Sequence, residues 1–530
     1  MNLYVVKSNK NSSIIKENIK KGYIYNIGSN EISDKTLINV NDSFELDKIA
    51  EETRDNYSDW IADLNDYFIK NKIHQKGISL YFLTDVSSKR TEFLNSFNYI
   101  CNVIQIKRIV SRYKINKIIL LTDDYYFYLI VKKNFKEINL SSLFISKKES
   151  ILSHISINLL KDFLFFFKIF FISLSNIILK KNYSQKYEKF FLTRFPLHFK
   201  ESYDIEDKYG PLDSKNENYL VHLLTDNIHQ NLNFFEYFKY KKICKIKGYF
   251  ILDEYLSSKN TLNFLMNLFI FYPRWYFAIE SRQYIFKNID VSELLKFELR
   301  SSFSKSLRLL LWIEPTKNFF KYNETNSLTY YLHEYPYGRL FSFILRNINN
   351  VCSIGMQHGP ASWRKLVYFM SKSEVSSENN NLKYVPIPDR VLAEDEETRK
   401  IYSHSNYSNI TVMDEIFRIK YLKKIIQKEK INHLIAPGLH DGEFLLKKMS
   451  KIMNQFPNDH FILKPHPRGN NEYIKKFSQK NLLISSDHIS DLLPNAKKVY
   501  VTYSSVGNEA KWLNIELVVM NIPGIVSQNF

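Results

Sequence analysis

Residues 461–471, FILKPHPRGNN, and residues 501–510, VTYSSVGNEA, share one organisation. In the first stretch a short apolar run ends at a histidine that lies between two prolines. In the second an apolar run ends at Ser504-Ser505, and a helical pattern follows. Each stretch therefore predicts a strand whose carboxyl end carries small polar or cationic groups. Because ligands of open α/β sheets bind at that edge, we expect both loops to hold the phosphate side of a nucleotide.

The size and charge of the chain limit the classes of protein to which it can belong. A chain of 530 residues is too long for one hydrophobic core and predicts two or three domains. The net charge of +19 favours an anionic partner, either a phosphorylated substrate or an anionic membrane surface. No zinc-finger spacing, ribonucleoprotein-type aromatic motif or arginine-rich tail occurs in the sequence, so we expect no nucleic acid partner.

The cysteines and the N-terminus indicate the compartment. Cys101, Cys244 and Cys352 lie far apart and form no CxxC pair, which favours a reducing environment. Residues 1–13 contain no long apolar run, so we expect no signal peptide. Both observations predict a cytoplasmic protein.

Residues 151–179 are strongly apolar, but three charged side chains interrupt them. Lys161, Asp162 and Lys168 fall near the middle, where a charge is costly in a membrane-spanning helix. We therefore predict a helix that is buried or lies at an interface. Basic residues at both ends would let it rest on an anionic leaflet of the membrane.

Alternating strand and helix patterns appear at both ends of the chain. ISLYFLTD (residues 78–85) and KIILLTDD (residues 117–124) read as buried strands with a helix between them, at about residues 90–110. This βαβ order predicts a parallel sheet. A mainly helical region follows, which we interpret as an insertion at about residues 150–310.

The second α/β pattern begins near residue 328. LTYYLHE ends at Glu334, and VCSIGM (residues 351–356) leads into Gln357-His358-Gly359-Pro360, where glycine allows a sharp turn. The polar stretch at residues 371–383 predicts a domain boundary. We therefore expect two domains, at residues 1–375 and 376–530.

The order of these motifs resembles that of bacterial surface-polymer enzymes with the GT-B fold. QHG in one half, followed by KPHP and by a strand that ends in Ser-Ser, is similar to capsule Kdo transferases, bacterial sialyltransferases and CDP-glycerol glycerophosphotransferases. The run from YLHEYPYGRLFSFILR through QHGPASWRKLVYF to PIPDRVLAED is similar to a family of surface-carbohydrate biosynthesis proteins. The resemblance covers roughly residues 328–530. It implies two Rossmann-type domains that face each other across a cleft, with the acceptor on the N-terminal side and the nucleotide donor on the C-terminal side.

The resemblance also implies roles for residues of the C-terminal half. His466 would contact the phosphate or ribose of the donor, and Ser504 and Ser505 would bind its phosphate. An ordinary helix N-cap explains the serines equally well. Lys464 and Arg468 would neutralise charge at the same place.

On the acceptor side, His358 is the candidate general base, since an imidazole titrates near neutrality. Glu334 is the rival base. Gln357 and Gly359 would shape the same loop. Arg339 and Arg364 could hold an acceptor phosphate or carboxylate, although solvated surface arginines explain them equally well. Asp441 and Glu443 could contact the donor ribose or base, or start a helix.

We therefore predict a metal-independent glycosyltransferase without a cofactor, cytoplasmic and peripheral at the inner membrane face. It would move a sugar from a nucleotide donor, expected to be CMP-linked, to a glycan or lipid-linked acceptor. Three alternatives share the fold: a CDP-polyol phosphotransferase of teichoic-like polymer synthesis, a non-catalytic glycan-assembly protein with a nucleotide-like cleft, and a nucleotide-sugar hydrolysing epimerase.

Overall fold

Three parallel β-sheets organise the chain in the computed structural model. The structure describes the chain except for residues 9–14, 16, 33, 147–150, 177–184, 194–204, 207–208, 212–217, 226–232, 377, 379, 414–428, 467–468, 470 and 529–530. The sheets contain five, seven and five strands in chain order. The α/β class with parallel Rossmann-type sheets, predicted from the sequence, is confirmed.

The N-terminal sheet has the strand order β3-β2-β1-β4-β5, and every pair is parallel. Its central strand, β1, is buried on both faces, as expected for a parallel sheet covered by helices. The strands are β1 (Asn2–Lys7), β2 (Gly22–Asn26), β3 (Leu37–Asn39), β4 (Lys117–Thr122) and β5 (Asn139–Leu143).

The middle sheet has the order β8-β7-β6-β9-β10-β11-β12 and is also parallel. The long strand β9 lies at its centre and pairs with β6 and β10. The strands are β6 (Gln185–Thr193), β7 (Asn218–His222), β8 (Phe250–Ile251), β9 (Asn323–Tyr331), β10 (Cys352–Met356), β11 (Arg390–Ala393) and β12 (Ile410–Val412).

The C-terminal sheet has the order β15-β14-β13-β16-β17, again all parallel. The apolar runs that precede KPHP and Ser504-Ser505 form two of its strands, as predicted. The strands are β13 (Asn432–Ile435), β14 (His460–Leu463), β15 (Leu482–Ile484), β16 (Ala496–Val501) and β17 (Glu516–Val519).

The helices begin where the sequence supplies caps. The Asp42 carboxylate accepts a hydrogen bond from the Glu45 amide at 2.9 Å, and Asp124 and Asp395 cap later helices in the same way. The helices are α1 (Ser43–Lys70), α2 (Ser96–Tyr113), α3 (Tyr125–Asn134), α4 (Ile151–Asn176), α5 (Phe234–Ile246), α6 (Ser258–Glu280), α7 (Ser292–Leu310), α8 (Ile313–Tyr322), α9 (Pro336–Leu345), α10 (Glu396–His404), α11 (Gly442–Gln455), α12 (Ile489–Leu492) and α13 (Val506–Trp512).

The predicted helical insertion is present, since α4 to α8 lie between β5 and β9. Three strands of the middle sheet, β6 to β8, interrupt it, so the insertion is not purely helical. Among the described residues no helix is long and apolar enough to span a bilayer.

The predicted strand at residues 78–85 is wrong. Only Ile78–Ser79 is extended, and Leu80–Leu83 forms a buried 3₁₀ turn. A short apolar run is buried on all sides in either conformation, so its composition could not distinguish the two. The next helix, α2, begins at residue 96 rather than at residue 90.

The hydrophobic cores group the sheets into two units. One core contains Leu3 of the N-terminal sheet and also Tyr330 and Val391 of the middle sheet, whereas the C-terminal sheet has separate cores on its two faces. The predicted boundary at residues 375/376 falls between β10 and β11, which are paired in one sheet. We therefore propose that the division lies between residues 412 and 432.

The segment after β17 returns to the N-terminal unit. The Pro523 carbonyl accepts a hydrogen bond from the Gly28 amide at 2.8 Å, and the Gly524 carbonyl accepts one from Asn102 Nδ2 at 2.9 Å. Val526 is buried in the shared core, and the Ser527 amide donates to Asp47 Oδ1 at 2.9 Å. Residues 522–528, here called the return segment, therefore join the two units.

Candidate functional site

Three loops lie at the carboxyl edge of the C-terminal sheet, after the neighbouring strands β14, β13 and β16. The chain order reverses at the centre of this sheet: β14 and β15 lie on one side of β13, and β16 and β17 lie on the other. Such a switch point opens a crevice in which α/β proteins bind ligands. The topology therefore brings Lys464–His466 and Ser504-Ser505 to one edge of the sheet.

A cavity of about 300 Å³ opens between the loops that follow β13 and β14. His440 and Glu443 line one side, and Asn471, Tyr473 and Lys476 line the other. The volume is at the lower end of the range for small-molecule sites. All the lining residues belong to the C-terminal unit.

Glu443 gives this cavity an ionised carboxylate. A hydrogen bond from Lys447, at 3.0 Å, is the largest effect on the carboxyl and lowers its pKa. Lys476 lies 3.8 Å away across the cavity. The wall therefore offers both an acceptor for hydroxyl groups and a cation.

Asp441 occupies a different position from Glu443, although both were predicted as donor contacts. It precedes α11 and is only 6% exposed, behind the lining residues of the cavity. Burial is the largest effect on its carboxyl and raises the pKa. A side chain at Gly442 would clash with the Tyr473 hydroxyl, so this loop is packed tightly against the far wall.

The KPHP loop is anchored through its backbone. The Lys464 amide donates to the Ile435 carbonyl at 2.9 Å, while the Lys464 ammonium donates to the Ser486 carbonyl at 2.8 Å. The His466 carbonyl accepts from the Gly469 amide at 3.0 Å, and the histidine itself is half-buried. Arg468 lies outside the described residues.

The two serines differ in accessibility. Ser504 is 7% exposed, and its hydroxyl accepts a long hydrogen bond from the Val506 amide at 3.4 Å. Ser505 is half-buried at the start of α13. The serine pair therefore lies at the predicted edge, and Ser505 is the more accessible of the two.

At the carboxyl edge of the middle sheet, Gln357 holds the QHG loop in shape. Its Nε2 donates to the Gly359 carbonyl at 2.9 Å, and its Oε1 accepts from the Glu394 amide at 2.7 Å. Gly359 has a φ of +96°, which favours glycine. This turn leaves His358 half-buried beside Tyr331, with the ring centroids 5.5 Å apart.

Glu334 follows the neighbouring strand β9 but is completely buried. It accepts a hydrogen bond from the Tyr402 hydroxyl, and His333 Nε2 lies 3.4 Å from its Oε1. Burial lowers the pKa of His333, so the imidazole is neutral near pH 7. His333 was not among the residues predicted from the sequence, although its position beside Glu334 at a strand end was a usable signal.

The turn that carries His333 and Glu334 is strained and tightly enclosed. Leu332 has a φ of +56°, which is unusual for a bulky residue. An added side chain at Gly338 would meet the backbone of residues 332 and 333, and one at Gly355 would meet the His333 ring. Strain of this kind persists only where the surrounding structure enforces it.

The two arginines predicted as acceptor contacts have structural partners. Arg339 is completely buried, and its Nη1 donates to Ser87 Oγ at 2.8 Å and to the Phe82 carbonyl at 3.2 Å. Arg364 donates from Nε to the Ser527 carbonyl at 2.8 Å, which fixes the return segment. Arg339 is therefore inaccessible to an acceptor in this conformation.

The structure thus forms two groups from the predicted residues. One group lies at the edge of the C-terminal sheet and contains Lys464, His466, Ser504, Ser505 and Glu443. The other lies at the edge of the middle sheet and contains Gln357, His358, Gly359 and Glu334. Within the described part of the chain, no three His, Cys, Asp or Glu side chains are grouped as a metal site.

No protein-family model matches the chain, and no curated protein matches it either. Similar solved structures include UDP-GlcNAc 2-epimerase from Neisseria meningitidis, bound to UDP-GlcNAc, with 11% identity and a TM-score of 0.34 over 63% of this chain and 82% of that one. MurG from Acinetobacter baumannii has 10% identity and a TM-score of 0.31 over 64% and 79%. The wall teichoic acid polymerase TagF has 10% identity and a TM-score of 0.29 over 70% and 78%. Likeness at this level carries no information on substrate, which depends on individual site residues.

Proposed function

We propose that this protein is a GT-B-type transferase that moves a sugar from a cytidine-nucleotide donor to a surface-glycan acceptor. The observation that carries the proposal is the convergence of three strand-end loops at the switch point of the C-terminal sheet, beside a cavity with an ionised carboxylate and a cation. The resemblance of KPHP and Ser-Ser to motifs of CMP-sugar enzymes supports cytidine as the base.

In the proposed site the donor phosphate lies near the Lys464 ammonium and the half-buried Ser505. Glu443, on the cavity wall, is suited to accept hydrogen bonds from ribose hydroxyls. Lys464 and Lys476 offset the negative charge of the nucleotide. Asp441, behind the wall, supports the loop rather than the ligand.

In the proposed reaction His358 accepts the proton of the acceptor hydroxyl. The acceptor oxygen forms a bond to the anomeric carbon, and the bond from that carbon to the phosphate oxygen breaks. The leaving CMP keeps the electron pair, and cationic groups stabilise its charge. His358 is favoured over Glu334 because it is half-buried at a turn, whereas Glu334 is completely buried and bonded to Tyr402.

A CDP-polyol phosphotransferase is the second candidate, because the same histidine and the same cytidine nucleotide would serve it. There the acceptor oxygen attacks phosphorus, and CMP again leaves. The product of turnover distinguishes the two reactions, since only the phosphotransferase retains a phosphate in the transferred group.

A thermal-shift screen of CMP, CDP, UDP and GDP donors tests the donor class. We expect stabilisation by cytidine nucleotides, because ligands that bind only the folded state raise the unfolding temperature. Stabilisation by UDP or GDP donors alone would overturn the cytidine assignment. The absence of binding to every nucleotide would favour the non-catalytic alternative.

His358→Ala tests the base. We expect donor binding to persist and turnover to CMP to fall by about 100-fold or more, since general bases contribute that much. His404→Ala is the matched control, because His404 belongs to the same unit and is also half-buried but lies at the C-terminal end of α10, with its Nε2 3.2 Å from Asp55. Wild-type turnover by His358→Ala would remove the histidine from the mechanism.

A further inference from the structure

Two helices of the insertion expose large apolar side chains to solvent. On α4 these residues are spaced three or four apart, so they share one face of the helix. Their exposed fractions, with those on α6, run from 40% to 69%. The residues are Ile157, Leu160, Leu164, Phe167, Phe171 and Leu174 on α4, and Leu262, Met266, Phe269, Ile270 and Phe277 on α6.

The two apolar stripes belong to one surface because the helices pack side by side. The rings of Phe163 and Phe269 lie 6.1 Å apart, and those of Phe165 and Phe264 lie 5.7 Å apart. The exposed stripes on α4 and α6 together are here called the α4–α6 face. Folded proteins rarely leave so large an apolar patch in contact with water unless it binds something.

The buried side of α4 explains why a charged residue interrupts an apolar helix. Asp162 is completely buried and accepts hydrogen bonds from Arg308 at 2.8 Å, Ser304 at 2.6 Å and Tyr272 at 2.5 Å. These bonds fix α4 to α6 and α7. The apolar stripe is therefore displayed on a rigid support.

Basic side chains accompany the apolar ones. The exposed charged residues of the two helices are Lys161, Lys259 and Arg274, and none is acidic. A groove of about 680 Å³ lies at one side of the face. Its lining includes Leu164, Lys168, Phe171 and Phe234. An apolar surface with a basic rim complements a bilayer that presents acyl chains beneath anionic headgroups.

We propose that the α4–α6 face docks the protein on an anionic lipid leaflet. The apolar side chains enter the boundary between headgroups and acyl chains, and the basic side chains bind lipid phosphates. The net charge of +19 draws the protein to such a surface from a distance. This inference does not depend on the proposed reaction, since it concerns a surface of the insertion and not the sheet edges.

Vesicle flotation with the full chain tests the proposal. We compare phosphatidylcholine vesicles with vesicles that also contain phosphatidylglycerol. The double variant Leu164→Glu/Phe269→Glu should reduce partitioning into anionic vesicles by at least about tenfold, because two apolar contacts are lost and two repelled charges gained. Lys161→Glu/Arg274→Glu should reduce it by about tenfold or more, since each basic residue near the surface contributes.

Phe44→Glu is the matched control, because Phe44 is 82% exposed but belongs to α1, which contributes no residue to the face. It should float like the wild type, and circular dichroism should show that all variants are folded. Failure of the wild type to bind anionic vesicles would overturn the proposal, as would wild-type flotation by Leu164→Glu/Phe269→Glu. A wild-type dimer that this double variant converts to a monomer would overturn it in favour of a second copy of the chain.

Discussion

Two titratable side chains are enclosed at the carboxyl edge of the middle sheet, whereas at the carboxyl edge of the C-terminal sheet such side chains border a cavity. His333 and Glu334 are completely buried, while Glu443 and Lys476 line open space. Both edges arise from parallel strands of similar sequence pattern. The difference shows that position at a strand end selects candidate residues, and burial then separates those that hold the fold from those that can bind a ligand.

Enclosed charged residues, unlike the half-buried His358, should respond to substitution mainly through stability. Within the N-terminal unit, Lys89 and Glu374 form a buried ion pair at 2.8 Å that joins the loop before α2 to the segment after β10. Glu374→Ala leaves Lys89 buried without its counter-charge and should destabilise the N-terminal unit by about 3–5 kcal/mol. Differential scanning calorimetry of the variant and the wild type measures the change.

The exposed pair of Glu396 and Arg399 is the control for this experiment. Its atoms lie 2.8 Å apart on α10 in the same unit, but water screens them. Glu396→Ala should leave the transition nearly unchanged. Equal effects of the two substitutions would contradict the distinction between the enclosed and open sites.

The open edge should respond mainly through binding. Glu443→Gln keeps the size of the side chain but removes its charge from the cavity wall. We expect nucleotide affinity to fall about tenfold, the scale of one hydrogen bond to a charged group, with little change in unfolding temperature. Isothermal titration calorimetry with the nucleotide identified in the screen provides the measurement.

Asp441→Asn should have the smallest effect of these substitutions. It should stabilise the protein, whereas Glu374→Ala should destabilise it. Because burial raises the pKa of Asp441 in the folded protein, the folded state disfavours the ionised carboxylate. The contribution of the Asp441 carboxyl to the free energy of unfolding is therefore greatest below its unfolded-state pKa. It is lost as the pH rises through the folded-state pKa. At neutral pH the asparagine variant should unfold at a slightly higher temperature.

Unfolding curves from pH 3 to pH 7 would test whether removal of the buried carboxylate charge causes this gain. The stability difference between Asp441→Asn and the wild type should grow as the pH rises and should vanish in acid. Nucleotide affinity should stay the same, because Asp441 lies behind the cavity wall. Loss of affinity as large as that of Glu443→Gln would place Asp441 in the site.

Local pattern was sufficient to predict most strands that carry site residues. The runs before Glu334, Gln357, Lys464 and Ser504 all lie in parallel sheets, because apolar runs followed by polar turns have few other conformations in an α/β chain. Sheet membership could not be predicted in the same way. β11 pairs with β10 across residues 371–383, and such pairing depends on contacts distant in sequence.

Burial was the other property that the sequence did not contain. Arg339 reads as a possible anion contact, yet it donates to Ser87 in the interior because the turn at residues 80–88 packs against α9. The burial of His333 depends on the glycines at 338 and 355 and on the positive φ of Leu332. These features can be interpreted only when the three segments are seen packed together.

The return segment also affects how soon the N-terminal unit can complete its contacts during synthesis. The Gly524 carbonyl accepts a hydrogen bond from Asn98, which precedes it by 426 positions. The Ser527 amide donates one to Asp47, which precedes it by 480. At ordinary rates of translation, Asp47 and Asn98 are synthesised on the order of tens of seconds before the return segment. During that interval the N-terminal unit leaves the ribosome with its α1–α2 surface uncovered, so nascent chains stalled before residue 522 should be the form most prone to capture by chaperones.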